Sequence, residues 1–194
     1  MTLLPAPWHT LRPFEAAAGP ERVLAAAVEV LRTPGQIPQL QLRYVLQNLE
    51  DLRVPALSAS PARRDELWQH TCFEAFVAVP DQEPYWEFNL SPSADWAAYH
   101  LSSYRQGLQP EWFFTRLPVA IHAAAAAEGS TTAASTLTLE LSCSLPPKLA
   151  AASTLQVGLT AVLESNDGSL SYWALNHPGR EADFHDRRGW TLRV

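Results

Sequence analysis

Two stretches of period-two alternation constrain this 194-residue chain more than any other feature. In Gln39 to Gln47, Leu40, Leu42, Tyr44 and Leu46 alternate with Gln39, Gln41, Arg43 and Gln47. In Leu137 to Leu145, Leu137, Leu139, Leu141, Cys143 and Leu145 form one row, and Thr138, Glu140, Ser142 and Ser144 the other. Successive side chains of a strand point to opposite faces, so each stretch reads as a strand with one buried and one wet side. Cys143 is then a small buried hydrophobe, the usual fate of a free Cys. Leu155 to Glu164 and Leu170 to Leu175 flank Glu164-Ser-Asn-Asp-Gly168, a strong hairpin signal, and Trp190 to Val194 reads as a last short strand. The 16 prolines, against 8 glycines, fall between short apolar stretches. Pro cannot donate to a sheet ladder, so it punctuates between strands. The expectation is an all-β sandwich.

Two Ala-rich segments, Glu15 to Leu31 and Val119 to Glu128, have the intrinsic propensity of helices. Pairing in a sheet overrides propensity, and both are expected to be strands. Gly129 to Ser135 reads as a loop. No repeat or linker divides the chain, so residues 1–194 are expected to form one domain, long enough to fold without disulfide staples.

The balance of 14 basic against 20 acidic residues gives a net charge of −6, and the only basic clusters are Arg63-Arg64 and Arg187-Arg188. No nucleic-acid partner is expected, because phosphate binding needs a clustered basic face. No run of 18 apolar residues exists, so no membrane span is expected. The first ten residues lack a basic-then-apolar export pattern, and Cys72 and Cys143 sit in no CxxC pair. These features point to a reduced, cytoplasmic protein.

The chemistry-bearing region runs from Leu67 to Gly107. In Tyr85 to Pro92, Trp86, Phe88 and Leu90 face one way, and Tyr85, Glu87, Asn89 and Ser91 the other. The preceding strand, Thr71 to Val79, is apolar on both faces except for Glu74. Burying an unpaired carboxylate costs several kcal/mol, so Glu74 needs a reason. One reason is structural, a pair with an Arg or with Asn89. The other is a ligand pocket in which Glu74, Glu87 and Asn89 share a face, with Trp68 at its edge. Sugars suit such a pocket: carboxylates and amides bind hydroxyls, and an aromatic ring packs on the C–H face of the ring. Trp173, in Ser171 to His177, is a candidate for a second aromatic, with core packing as its alternative.

Other chemistries fit less well. His70, Cys72 and Glu74 are spaced by two, but same-face neighbours of one strand rarely converge on one ion, and no metal is expected. Glu74 and Glu87 are a possible glycosidase pair, though nothing makes either an acid catalyst. His177 and Asp183-Phe-His-Asp186 have no GxSxG elbow to complete a Ser/His/Asp site.

Three blocks together carry a resemblance: Leu67-Trp-Gln-His-Thr-Cys-Phe-Glu-Ala-Phe76, Tyr85-Trp-Glu-Phe-Asn-Leu-Ser-Pro-Ser-Ala-Asp-Trp-Ala-Ala-Tyr99, and Tyr172-Trp-Ala-Leu-Asn-His-Pro178 with Asp183-Phe-His185. The chain resembles bacterial DOMON-like proteins, a group similar to the family 9 carbohydrate-binding modules, over nearly its whole length. The resemblance implies a jelly-roll-like antiparallel β-sandwich. It also implies a non-catalytic binding module for a small polyhydroxylated ligand, a saccharide or related small molecule, with no cofactor. In the sugar-binding relatives two tryptophans clamp a terminal sugar while carboxylate and amide groups hold its hydroxyls. By resemblance, Trp68 is the first clamp residue, Glu74 the pocket acid and Glu87 with Asn89 the next strand's polar pair. Trp173 is similar to the second clamp residue, with Asn176 and His177 beside it. Trp96, Tyr99, Tyr104 and Arg105 are expected to build the wall behind. The family has Arg or a similar donor where this chain has Glu87, a departure in pocket charge. Some relatives bind haem, which here has only His70, Cys72, His100, His177 or His185 as ligands, since Met1 is the only Met. A protein-interaction scaffold without a small-molecule ligand is the remaining class.

Overall fold

A computed structural model describes residues 6–15, 21–125 and 135–194. Its first strands are β1 (His9–Thr10), β2 (Arg12–Pro13), β3 (Val23–Leu31), β4 (Gln39–Gln47), β5 (Cys72–Ala78), β6 (Tyr85–Leu90) and β7 (Trp96–Leu101). Then follow β8 (Gln109–Pro110), β9 (Val119–Ala124), β10 (Thr136–Ser144), α1 (Pro147–Ala151), β11 (Gln156–Glu164), β12 (Leu170–Ala174) and β13 (Leu192–Arg193). They form two antiparallel sheets. The first runs β1-β3-β4-β10-β9, and the second β2-β12-β11-β5-β6-β7-β8, with β13 also on β11. The chain is a β-sandwich, as the alternation predicts.

The two alternating stretches, β4 and β10, pair over nine residues, from Thr136 opposite Gln47 to Ser144 opposite Gln39. Their apolar rows (Leu40, Leu42, Tyr44 and Leu46; Leu137, Leu139, Leu141 and Cys143) lie in the core between the sheets. Ala-rich Val23–Leu31 is a strand because it pairs with the whole of β4 and buries Leu24, Ala26 and Val28 in the same core. The second Ala-rich strand ends at Ala124. Residues 126–128 of that segment, the Gly129–Ser135 loop apart from Ser135, and residues 16–20 of the first segment lie outside the described residues. The hairpin turn holds Gly168 at φ +86°, and its N–H donates to Ser165 O at 2.9 Å.

The second sheet is buried on both sides. Phe73, Ala75, Val77, Trp86, Phe88 and Leu90 face the first sheet. Phe76, Ala78, Tyr85, Ala97, Tyr99 and Leu101 form a separate cluster on the opposite, outer face. That face is covered by the segment 176–191. Trp190, expected to open the last strand, instead belongs to this cover. It stacks on Phe76 at 5.5 Å, meets Tyr85 edge-on at 5.2 Å, and donates from Nε1 to Phe184 O at 2.8 Å. The indole occupies a notch left by Gly158 on β11, where an added Cβ would overlap the ring. Arg187 secures the same segment by donating to Val79 O at 3.2 Å and Gln156 Oε1 at 3.0 Å.

This notch yields a prediction. Gly158→Ala should lower unfolding free energy in urea by ~1–3 kcal/mol, the usual cost of overpacking a tight site. A variant as stable as the wild type would contradict the notch.

Candidate ligand-binding site

The ladder fixes which side chains share the outer face of the second sheet. Glu74 pairs with Asn89 on β6 and with Thr160 on β11, while Asn89 pairs with Ala97 on β7. One row across the sheet is therefore Ala97, Asn89, Glu74 and Thr160. The next row is Tyr99, Glu87, Phe76 and Gly158. Glu74 and Glu87 are thus diagonal neighbours across one strand pair, close enough for their side chains to interact. They are only 3 % and 4 % exposed.

Above this row lies a cavity of about 490 Å³ whose lining includes Glu74, Glu87, Trp68, Tyr172, Phe184 and Arg105. Trp68 stands on a short 3₁₀ turn, Leu67–Gln69, entered through Glu66 in a left-handed conformation. Its ring meets Tyr99 edge-on at 5.9 Å, and the Tyr99 hydroxyl donates to Asp65 Oδ1 at 2.7 Å. The Trp is thereby held against the sheet by a residue of the sheet. Tyr172, on β12, is 38 % exposed and meets Phe184 of the covering segment at 6.0 Å. Arg105, on the loop after β7, donates to Asp183 Oδ1 at 2.8 Å, and the Tyr104 hydroxyl donates to Asp183 Oδ2. These bonds clasp the covering segment to the loop at the cavity's edge. His185 Nδ1 lies 2.7 Å from the Tyr85 hydroxyl.

The acids are poorly matched by protein groups. Asn89 Nδ2 donates to Glu87 Oε1 at 2.7 Å. Among the described residues Glu74 Oε1, Glu87 Oε2, Asn89 Oδ1 and Thr160 Oγ1 are buried without a hydrogen-bond partner. Native proteins pair nearly all such groups, so four on one face of one sheet make this the candidate site. Burial pushes the Glu74 carboxyl well above the usual range, and the neighbouring Glu87 adds to it. Burial raises Glu87 to about 7, while the Asn89 hydrogen bond and Arg105 draw it back. Burial, followed by Arg105, lowers His185 to about 4, so its imidazole is neutral at pH 7. Glu164, a third buried acid, differs: Arg53 Nη1 and His70 Nδ1 meet it at 2.7 and 2.8 Å.

The structure gathers Trp68, Glu74 and Glu87 around the cavity, with Asn89 buried behind the two acids. It does not bring Trp173, Asn176 or His177 there. Trp173 pairs with Ala161 and points into the core between the sheets, its Nε1 donating to Ser171 Oγ at 3.0 Å. The expected clamp of Trp68 and Trp173 is corrected on that ground, because they lie on opposite faces of the sheet. Asn176 is exposed beyond the end of β12. His177 meets Phe14 edge-on, and its Nε2 lies 2.9 Å from Arg12 O. Of the expected wall, Trp96 is in the inter-sheet core under the Arg63 guanidinium, and Arg105 lines the cavity itself. The aromatic facing outward from β12 is Tyr172, one residue before the expected Trp. Tyr172, Phe184 and His185 are lining residues that sequence reasoning missed. Period two gave the only usable signal, since Tyr172 and Trp173 must face opposite ways. Among the described residues no three His, Cys, Asp or Glu side chains gather as metal ligands, and His70 lies on Glu164, His177 on Arg12 and His185 on Tyr85. No helix among the described residues is long and apolar enough to cross a membrane.

No family model matches the sequence, and no curated protein matches it significantly. Among solved structures the chain is similar to a candidate carbohydrate-binding protein from Bacteroides uniformis. The identity is 9 %, the TM-score 0.59, and the match covers 95 % of this chain and 84 % of the other. A family 9 carbohydrate-binding module from Caldicellulosiruptor kristjanssonii, solved with cellotriose, matches at TM-score 0.43 and 9 % identity over 88 % of this chain and 72 % of that one. The same bacterium's module with glucose matches at 0.41 and 9 %, over 87 % and 73 %. At these identities the first match shows a shared fold, and the other two are too distant to argue from.

The raised Glu87 pKa predicts how stability depends on pH. A carboxyl at about 4.5 unfolded and about 7 folded binds more protons when folded, so its contribution is present at low pH and falls as pH rises through that window. The fall is roughly 3 kcal/mol at 1.36 kcal/mol per pKa unit. His185 works in the opposite sense over an overlapping range, so the difference between wild type and Glu87→Gln isolates the acid. Chemical denaturation between pH 4.5 and 7.5 should show Glu87→Gln gaining on the wild type by about that amount. A pH-independent difference would contradict the buried-acid assignment.

Proposed function

We propose that the protein is a non-catalytic binding module whose outer-face cavity takes a small polyhydroxylated ligand of the saccharide class. One observation carries this reading. Buried, unpartnered polar groups on Glu74 and Glu87 line a cavity that Trp68, Tyr172 and Phe184 wall with aromatic surface. Hydroxyl groups donate to such acceptors, and the flat C–H faces of a sugar ring pack on aromatic rings. The cavity's size is within the range of small-molecule sites. The description of the B. uniformis neighbour as a candidate carbohydrate binder agrees with this reading.

The placement of the acids also supports binding over hydrolysis. Glycosidase carboxyls flank the bond they cleave, one as acid and one as base or nucleophile. Glu74 and Glu87 rise from adjacent strands of one sheet face and meet a ligand from the same side. Stacking with a few hydrogen bonds of ~1 kcal/mol each gives affinities from micromolar to millimolar.

Tryptophan fluorescence titrated with glucose and other neutral monosaccharides should change saturably. Trp68→Ala and Tyr172→Ala should each weaken the response at least tenfold (~1.4 kcal/mol or more), while Trp173→Phe leaves it in place. No response to any neutral or charged sugar up to tens of millimolar would overturn the saccharide reading. A response lost only in the Trp173 variant would place the site elsewhere.

A further inference from the structure

The unpartnered atoms over the sheet have a chemical bias. Glu74 Oε1, Glu87 Oε2 and Asn89 Oδ1 accept, the Thr160 hydroxyl accepts and donates, and the two carboxyls donate only while they hold the protons that burial favours. Of the amides nearby, Asn89 Nδ2 is spent on Glu87 Oε1, and Gln69 stands on the exposed part of the lining. The one Lys or Arg on the lining among the described residues, Arg105, is paired with Asp183. The cavity floor therefore sets two buried carboxyls side by side, which become a doubly acidic acceptor site once their protons are lost, and its walls offer three aromatic rings. From this we infer that the site prefers a ligand carrying a protonated amine, an amino sugar in place of a neutral one, with the ammonium placed on Glu74 and Glu87.

This inference rests on the saccharide reading and narrows it. An ammonium has three donors and no acceptor, the complement of two carboxylates that have given up their protons. It neutralises the two carboxyls that burial and mutual repulsion otherwise disfavour as a charged pair, and aromatic faces attract cations besides.

The groups facing the two acids leave them as the ones that respond. Cys72 along β5, Tyr44 from the first sheet, Tyr85 on β6 and Tyr99 on β7 have their pKa values raised, burial being the first cause in each, so they keep their protons at neutral pH. His185 is neutral, and Arg105 and Asp183 offset one another. A cation bound here draws protons off Glu74 and Glu87, so binding is coupled to proton release.

Calorimetric titration of the full chain near pH 6.5 with glucosamine, N-acetylglucosamine and glucose, each in two buffers of different ionisation enthalpy, tests this. The expected result is that glucosamine binds at least tenfold more tightly than the other two. Its enthalpy should differ between buffers by an amount that reports released protons. Glu87→Gln should weaken glucosamine more than glucose. Glucose or N-acetylglucosamine binding as tightly as glucosamine would overturn the inference and leave the saccharide reading intact. Glucosamine binding tightly without proton release would also overturn it, because the ammonium would then be held away from the acids. Failure of all three sugars to bind would overturn both.

Discussion

The rest of the structure depends on the burial of β5 and β6 from both sides. Every residue of these two strands is buried, although a sandwich needs only one face of each. The second cover comes from the segment 176–191, held down by Trp190 in the Gly158 notch and by Asp183 under Arg105 and Tyr104. Without that cover the outer face would be wet, and Glu74, Glu87 and Asn89 would be ordinary surface groups. With it they are desolvated, their acidities shift, and a walled cavity stands above them. Fold and site are thus products of the same packing.

The two acids contrast with Glu164. That residue is nearly as buried but meets Arg53 and His70, so its charge is accounted for within the protein. Glu74 and Glu87 meet each other and Asn89, which satisfies one oxygen of one acid. The backbone beneath Glu74 is fixed, since the Tyr44 hydroxyl reaches from the first sheet to donate to Glu74 O at 2.6 Å. The fold holds this strand firmly while leaving its acid side chain unmatched. Such an arrangement costs stability, and a bound ligand that supplies the missing donors offsets the cost by mass action.

The sandwich was legible because β4, β6 and β10 alternate cleanly, and the phase of each fixes its inner face. The Ala-rich β3 was legible only by giving pairing precedence over propensity. Half of the site followed from one anomaly, a carboxylate at Glu74 in an otherwise apolar strand. The other half did not follow, for a physical reason. Residues 157–163 of β11 are buried on both faces, so their pattern carries no phase, and nothing nearby says whether Tyr172 or Trp173 faces the core. The resemblance favoured the larger ring, and the ladder places it inside, opposite Ala161. Phe184, His185 and Arg105 come from loops whose arrival at the cavity depends on long-range contacts such as Arg105 with Asp183, which no local pattern encodes.

The central claim is that Glu74 and Glu87 are buried for a ligand and not for the fold. A crystal structure of the protein soaked with a saturating monosaccharide tests it most directly. Density for the ring is expected in the cavity between Trp68 and Tyr172, with ligand donors on Glu74 Oε1 and Glu87 Oε2. A sugar seated elsewhere, or a cavity in which both oxygens are satisfied by ordered water with the sugar absent, would contradict it.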